Sequence, residues 1–395
     1  MVGSAAKRFS LATISISRLI EVLAATRLSK AAYYGVGMYG LKRRQGERGG
    51  NWRRACAWLV AVACLCGVKV AAAATCTAVA GTNSWGTAAT WTGCSGIVPS
   101  NGDNVVVPSG AIVILNVNTA DINDLNVNLG GELRGDNTNK ILTIKKGAGV
   151  DITNNGIINF GAGNLATIFL KADSQWTGTT GTWNLSVIDI GTRKLTFPGG
   201  STFTINMSGA ASPLINPGSV TSLATISWNF SGTVAQTLPS AANVSFGDLM
   251  VSNTTGVTLG RDMTSSQILG NLAVADGAVL NNGGFAITLA SGKNFSVGTV
   301  TGTGAQFNLT GTSTMAAVSG GGTRTFLANS TVTYGGAAQT VTAETYGNLV
   351  LGGSGVKTMP AALITTANDF TISGTASVTA AAALTIGRNF TIGSG

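Results

Sequence analysis

The sequence predicts an all-β chain: an N-terminal signal region, then a right-handed parallel β-helix (solenoid). Three observations predict it. Charged residues make up 10% of the chain and glycine reaches 55 of 395 residues, against about a quarter and about 7% in ordinary domains. Short runs alternate apolar and polar side chains, as Phe203-Thr204-Ile205-Asn206-Met207 does. Several motifs return in fixed order along the C-terminal half.

The composition excludes disorder first. A disordered chain combines high charge with few apolar residues, whereas 44% of this one is hydrophobic. Alternation then places one face of each run on a core and the other in solvent. It recurs at Ala111–Leu115, Lys194–Phe197 and Phe285–Leu289. Turns such as Asn154-Asn155-Gly156 and Asn281-Asn282-Gly283-Gly284 separate the runs, because Gly and Asn tolerate positive φ.

The third observation sets the architecture. Ala235-Gln236-Thr237 returns as Ala338-Gln339-Thr340. Phe246-Gly247-Asp248-Leu249 returns as Tyr346-Gly347-Asn348-Leu349, and Lys293-Asn294-Phe295 as Arg388-Asn389-Phe390. The order is kept while the offset drifts, as in a duplication trimmed in its loops. Fixed-order self-similarity marks a repeat architecture. Tandem β-sandwiches are the alternative, since they too use short strands. No proline-marked linker separates two such units. At about 20–22 residues per coil, the body gives about 15 coils.

Residues 1–74 form the leader. Lys42, Arg43, Arg44, Arg48, Arg53 and Arg54 precede an apolar run from Ala55 to Val68, and Ala72 and Ala74 occupy small-residue positions. That is the build of a secretory signal peptide cut between Ala74 and Thr75. The run is short for a membrane span. Met38 offers a second start of more ordinary leader length. The body divides into 75–215, a cap with the first coils, and 216–395, the repeat coils. The last residues, Ile392-Gly393-Ser394-Gly395, fall inside a repeat and read as a truncated frame.

The charge follows this division. Residues 1–74 hold 12 Lys/Arg and 2 Asp/Glu, and the rest holds 12 and 13. The formal +9 therefore belongs to the leader, and the near-neutral body has no basic field for nucleic acid. Histidine is absent throughout, which excludes histidine-based triads and metal sites. Of five cysteines, Cys56, Cys64 and Cys66 lie in the leader, leaving Cys76 and Cys94. In an oxidising compartment one disulfide is expected, with two free thiols as the alternative.

Two stretches carry a resemblance. One is Val98-Pro99-Ser100-Asn101-Gly102-Asp103-Asn104-Val105-Val106-Val107-Pro108-Ser109-Gly110, after Trp85, Trp91 and Cys94. It resembles the opening of glycine-rich extracellular β-helix modules and of large exported bacterial proteins of the mannose-sensitive-haemagglutinin-pilus-associated type. The other, Tyr346-Gly347-Asn348-Leu349 continuing to Thr358, resembles a repeat of bacterial β-strand-repeat surface proteins and adhesin-like passengers. The resemblance implies surface location and adhesion or scaffolding, and supplies no catalytic residue.

The residues are also poor in chemistry. Glycoside hydrolysis needs two carboxylates at a set separation, and Asp121 with Asp124 is the nearest candidate pair, in what reads as a turn. Trp85, Trp91, Trp176 and Trp183 read as core, with sugar platforms as the alternative. Thr202-Phe203-Thr204, Thr301-Gly302-Thr303 and Thr331-Val332-Thr333 suggest an ice-binding array but do not recur at one coil period. The expectation is a secreted or outer-surface structural or adhesion protein without catalytic, cofactor or metal residues. Its partners would be host-surface or extracellular glycans or proteins, or pilus and envelope components. A polysaccharide lyase or hydrolase and an ice-binding protein are the alternatives.

Overall fold

The computed structural model describes residues 73–145, 149–298, 304–379 and 383–393. Apart from Ala73 and Ala74, the expected leader lies outside these residues. The segment from Ala71 onward forms one compact unit. Its described residues contain no α-helix. They are short strands with one 3-10 turn at Ala88–Thr90.

The strands stack in parallel as a β-solenoid of about 12 turns. One sheet is eleven strands wide, running from Gly81–Ser84 to Arg324–Phe326. Parallel pairing throughout this sheet excludes the tandem sandwiches, whose sheets are antiparallel. The turn count is lower than the sequence suggests because most turns run longer than 20–22 residues, as from Ile157 to Thr182 and from Phe295 to Arg324, and their lengths vary. Asn83 pairs with Val113, thirty positions on, whereas Ile112 pairs with Glu132, twenty on.

Alternation builds the core. In Ala111–Leu115 and Phe203–Met207 every second side chain is buried. Parallel register then stacks like on like: Val113, Leu133, Ile158, Trp183, Ile205, Trp228, Leu249, Leu272 and Phe295 form one unbroken inward column. All nine are buried, each stabilising by about 1.5–3 kcal/mol for the larger aliphatic and aromatic side chains. Rings continue the column sideways, with Trp176 stacked on Trp183 at 5.4 Å and Trp183 on Phe203 at 5.0 Å.

Near residue 215 the other faces are rebuilt while the eleven-stranded sheet runs on. A four-stranded sheet ends at Leu214–Ile215 and an eight-stranded one at Ser219–Thr221; a second eight-stranded sheet begins at Gln236–Thr237.

The strands of this second half hold buried polar side chains. Gln236 donates to Met207 O and Ala210 O, and its Oε1 accepts from Gly232 N and Asn253 Nδ2. Gln339 donates to Ser313 O and accepts from Gly336 N. The buried ammonium of Lys357, whose residue pairs with Gln339, donates to Gly336 O, Ala337 O and Ser354 O. Tyr334 and Tyr346 meet hydroxyl to hydroxyl at 3.1 Å, and both engage the backbone of Thr342.

The repeated motifs mark corners and not fixed faces. Leu249 lies in the eleven-stranded sheet, but its counterpart Leu349 lies in the second eight-stranded sheet. Both copies need glycine at the bend. A Cβ on Gly247 would meet Ile226 O at 2.1 Å, and one on Gly347 would meet Leu327 O at 2.1 Å.

Candidate functional site

A disulfide, an aromatic pair and a buried carboxylate tie together the first described turn. Cys76 and Cys94 form a disulfide, with Cα atoms 5.0 Å apart and both residues buried. It joins the strand Thr75–Ala78 to the segment following Trp91–Thr92. These two strands form the one antiparallel pair among the described strands. Trp85 and Trp91 pack edge to face at 4.9 Å beside them, and Trp91 Nε1 donates to Trp85 O. Asp103, from the Pro-x-x-Gly-Asp stretch, is buried and acts as a clamp. Its Oδ2 accepts from Ser100 N and Ser100 Oγ, both at 2.8 Å, and its Oδ1 from Ala74 N at 3.0 Å. Gly102 makes the tight turn possible at φ +87°.

The two candidate carboxylates part company. Asp121 forms an ion pair with Lys171 at 2.5 Å, half in solvent. Asp124 instead neighbours Asp151, because Leu125 pairs with Ile152 in the next turn. Burial, then the Asp151 charge, holds the Asp124 carboxyl above the usual carboxylate range. Its Oδ1 has no hydrogen-bond partner, while Asp151 Oδ2 accepts from Gln175 N at 2.8 Å. The Asp124–Asp151 proximity was invisible in the sequence, where 27 positions separate the two. Only the coil register brings them together.

The four tryptophans weighed as sugar platforms are all buried, so they belong to the core. Thr301-Gly302-Thr303 lies outside the described residues. Thr331 and Thr333 are flanked by Gln306 and Asn348, and by Asn308 and Val350, in adjacent turns. No flat Thr array forms there.

Outer side chains pair with one another instead. Asn229 donates to Asn206 at 3.1 Å and Asn206 to Asn184 at 3.2 Å, one residue per turn of the eleven-stranded sheet. A second series runs through backbone N–H groups. Asn271 N donates to Asp248, Asn294 N to Asn271, and Thr323 N to Asn294. Asp369 N to Asn348 and Asn389 N to Asp369 repeat it further on. The recurring Gly-Asn-Leu and Asn-Phe motifs are the corner positions of this series. A shallow groove of about 340 Å³ lies beside the outer ladder, lined by Leu129, Glu132, Ile157 and Thr182 among others. Leu129 is 70% exposed, and no motif in the sequence marks this groove.

Among the described residues, no group of three or more His, Cys, Asp or Glu gathers as metal ligands would, and no helix is long and apolar enough to cross a membrane. In comparisons with known proteins, a family model described as the G8 domain matches residues 90–213. The match runs from Trp91 and Cys94, past Asp124 and Asp151, and stops just short of Leu214–Ile215, the last strand of the four-stranded sheet. This domain is typical of extracellular proteins. Together with the solenoid, it fits a β-repeat protein of extracellular type. No curated protein matches the chain, and neither does any solved structure.

Proposed function

We propose that the chain is an exported surface protein whose solenoid is a structural or adhesion scaffold with no catalytic site. The observation that carries this is the use made of its acids. Asp103, Asp136, Asp151, Asp173, Asp189, Asp248, Asp262 and Asp369 each accept a backbone N–H. Carboxylates engaged as turn clamps hold coils in register and leave few free for proton transfer. The outer faces, laddered with Asn, Thr and Ser, offer hydrogen-bonding surface to extracellular glycans or proteins, or to components of the cell envelope. The motif resemblance supports a pilus-associated or adhesin role in a bacterium. The near-neutral body disfavours nucleic acid.

One observation favours a second reading. Paired carboxylates whose environments differ are the raw material of acid–base catalysis, and Asp124 beside Asp151 is such a pair. The test is incubation of the purified body with a broad polysaccharide panel, alongside binding to immobilised glycans and envelope preparations. Binding without turnover is the expected result. Turnover abolished in D124N or D121N would establish the enzyme.

A further inference from the structure

We propose that the leader is cut between Ala73 and Ala74, and that the α-ammonium freed on Ala74 pairs with the buried Asp103 carboxylate to close the first turn. This rests on the export reading above and places the cut one residue earlier than the Ala72/Ala74 pattern suggests.

Among the described residues, Ala74 is already the first bonded into the stack. Its N lies 3.0 Å from Asp103 Oδ1, and its carbonyl accepts from Asn104 N at 2.8 Å. A cut after Ala74 would remove both contacts. A cut before it keeps both and replaces a neutral amide N–H by an ammonium at the same place. The carboxylate has use for that charge. Asp103 is 6% exposed, and none of the ion pairs among the described residues includes it. A buried carboxylate is costly unless a cation and further hydrogen bonds compensate it. Ser100 supplies two hydrogen bonds, and a freed Ala74 supplies the cation.

The neighbourhood fixes the chain end. Cys76, two residues on, places its Sγ 3.7 Å from Asp103 Oδ2, and its disulfide holds the strand. Gly93 presses against Thr75 O, where a Cβ would stand at 2.2 Å. The sequence permits the cut, because Ala71 and Ala73 fill the two small-residue positions as well as Ala72 and Ala74 do. The step is hydrolysis by the leader-processing protease. Water cleaves the Ala73–Ala74 C–N bond: its oxygen goes to Ala73, which leaves as the carboxylate, and both its protons go to the Ala74 nitrogen, which becomes the ammonium.

The experiment is intact-mass and N-terminal analysis of the exported protein, followed by amine-acylation kinetics. The expected N-terminus is Ala74. Its amine should acylate at least about tenfold more slowly than in D103N, a tenfold change being one unit of pKa. Folded against urea-unfolded wild type should give the same ratio with no substitution made. An N-terminus at Thr75 overturns this inference and leaves export standing, whereas an uncut chain retained in the cell overturns both. Equal acylation in every form overturns the ion pair.

Discussion

Asp124 stands beside Asp151 of the next turn, one position before the paired Leu125 and Ile152. Its raised carboxyl means that the native state holds the proton more tightly than the unfolded chain. Stability is therefore gained as pH falls through the folded value towards the unfolded one near 4, and the ionised form is a cost above that window. D124N should be more stable than wild type at pH 7, by under about 1 kcal/mol because solvent screens a partly exposed pair. The gap should close towards pH 4. Urea midpoints across that range measure it, and a destabilised D124N at pH 7 would show the carboxylate to be favourably engaged.

Gln236 serves four partners from inside the wall. Q236A leaves Gly232 N without its acceptor and Ala210 O without its donor, and takes from Asn253 Nδ2 one of its two acceptors. Each unsatisfied buried group costs about 1–3 kcal/mol, so a loss of at least about 2 kcal/mol is expected. A double-mutant cycle with N253A should give a coupling of about 0.5–3 kcal/mol. Strict additivity would show that the two amides act independently.

The disulfide closes 18 positions of chain at the stack's first turn. On the chain-entropy model C94S should lose about 3 kcal/mol. Thermal unfolding with and without reductant checks this, since reduction of wild type should reproduce the loss and leave C94S unchanged.

Glycines divide sharply by surroundings. A Cβ at Gly247 would overlap backbone carbonyls of Ile226 and Leu223, whereas Gly199 has open space and an ordinary φ. G247A should destabilise by about 1–3 kcal/mol through overpacking. G199A should be neutral, or stabilise by about 0.4–1 kcal/mol through the unfolded chain. Chemical denaturation of the two variants side by side decides the matter, and equal effects would contradict the close approach at Gly247.

The fold was readable because alternation and turn residues act locally: Phe203–Met207 reads as a half-buried strand without knowledge of its neighbours. The repeated Gln236 and Gln339 were visible as a recurrence, but their task inside the wall was not, since the carbonyls they bind lie a turn away. Sequence proximity suggests the Asp121–Asp124 pair, whereas the structure couples Asp124 to Asp151 and Asp121 to Lys171. Contacts along the stack depend on corner lengths, which range from tight to loose and leave no period to count. The same irregularity made 15 coils the expectation where about 12 are present. The Asp103 clamp is half legible: the Pro-x-x-Gly-Asp stretch stands out in the sequence, but the bond that ties it to Ala74 does not.

The separation between fixed rungs and elastic corners has a consequence for how such a gene can change. Each strand rests only on the strands before and after it, and corners absorb the difference between a thirty-position step at Asn83–Val113 and a twenty-position step at Ile112–Glu132. Copying or deleting a complete turn leaves the surviving contacts intact, so unequal recombination can lengthen or shorten the molecule without redesigning it. A single-residue slip within a strand is another matter. It would turn Val113, Leu133 or Trp183 out to water and bring its polar neighbours in. Selection on this chain should thus tolerate changes in bulk while punishing small errors of phase.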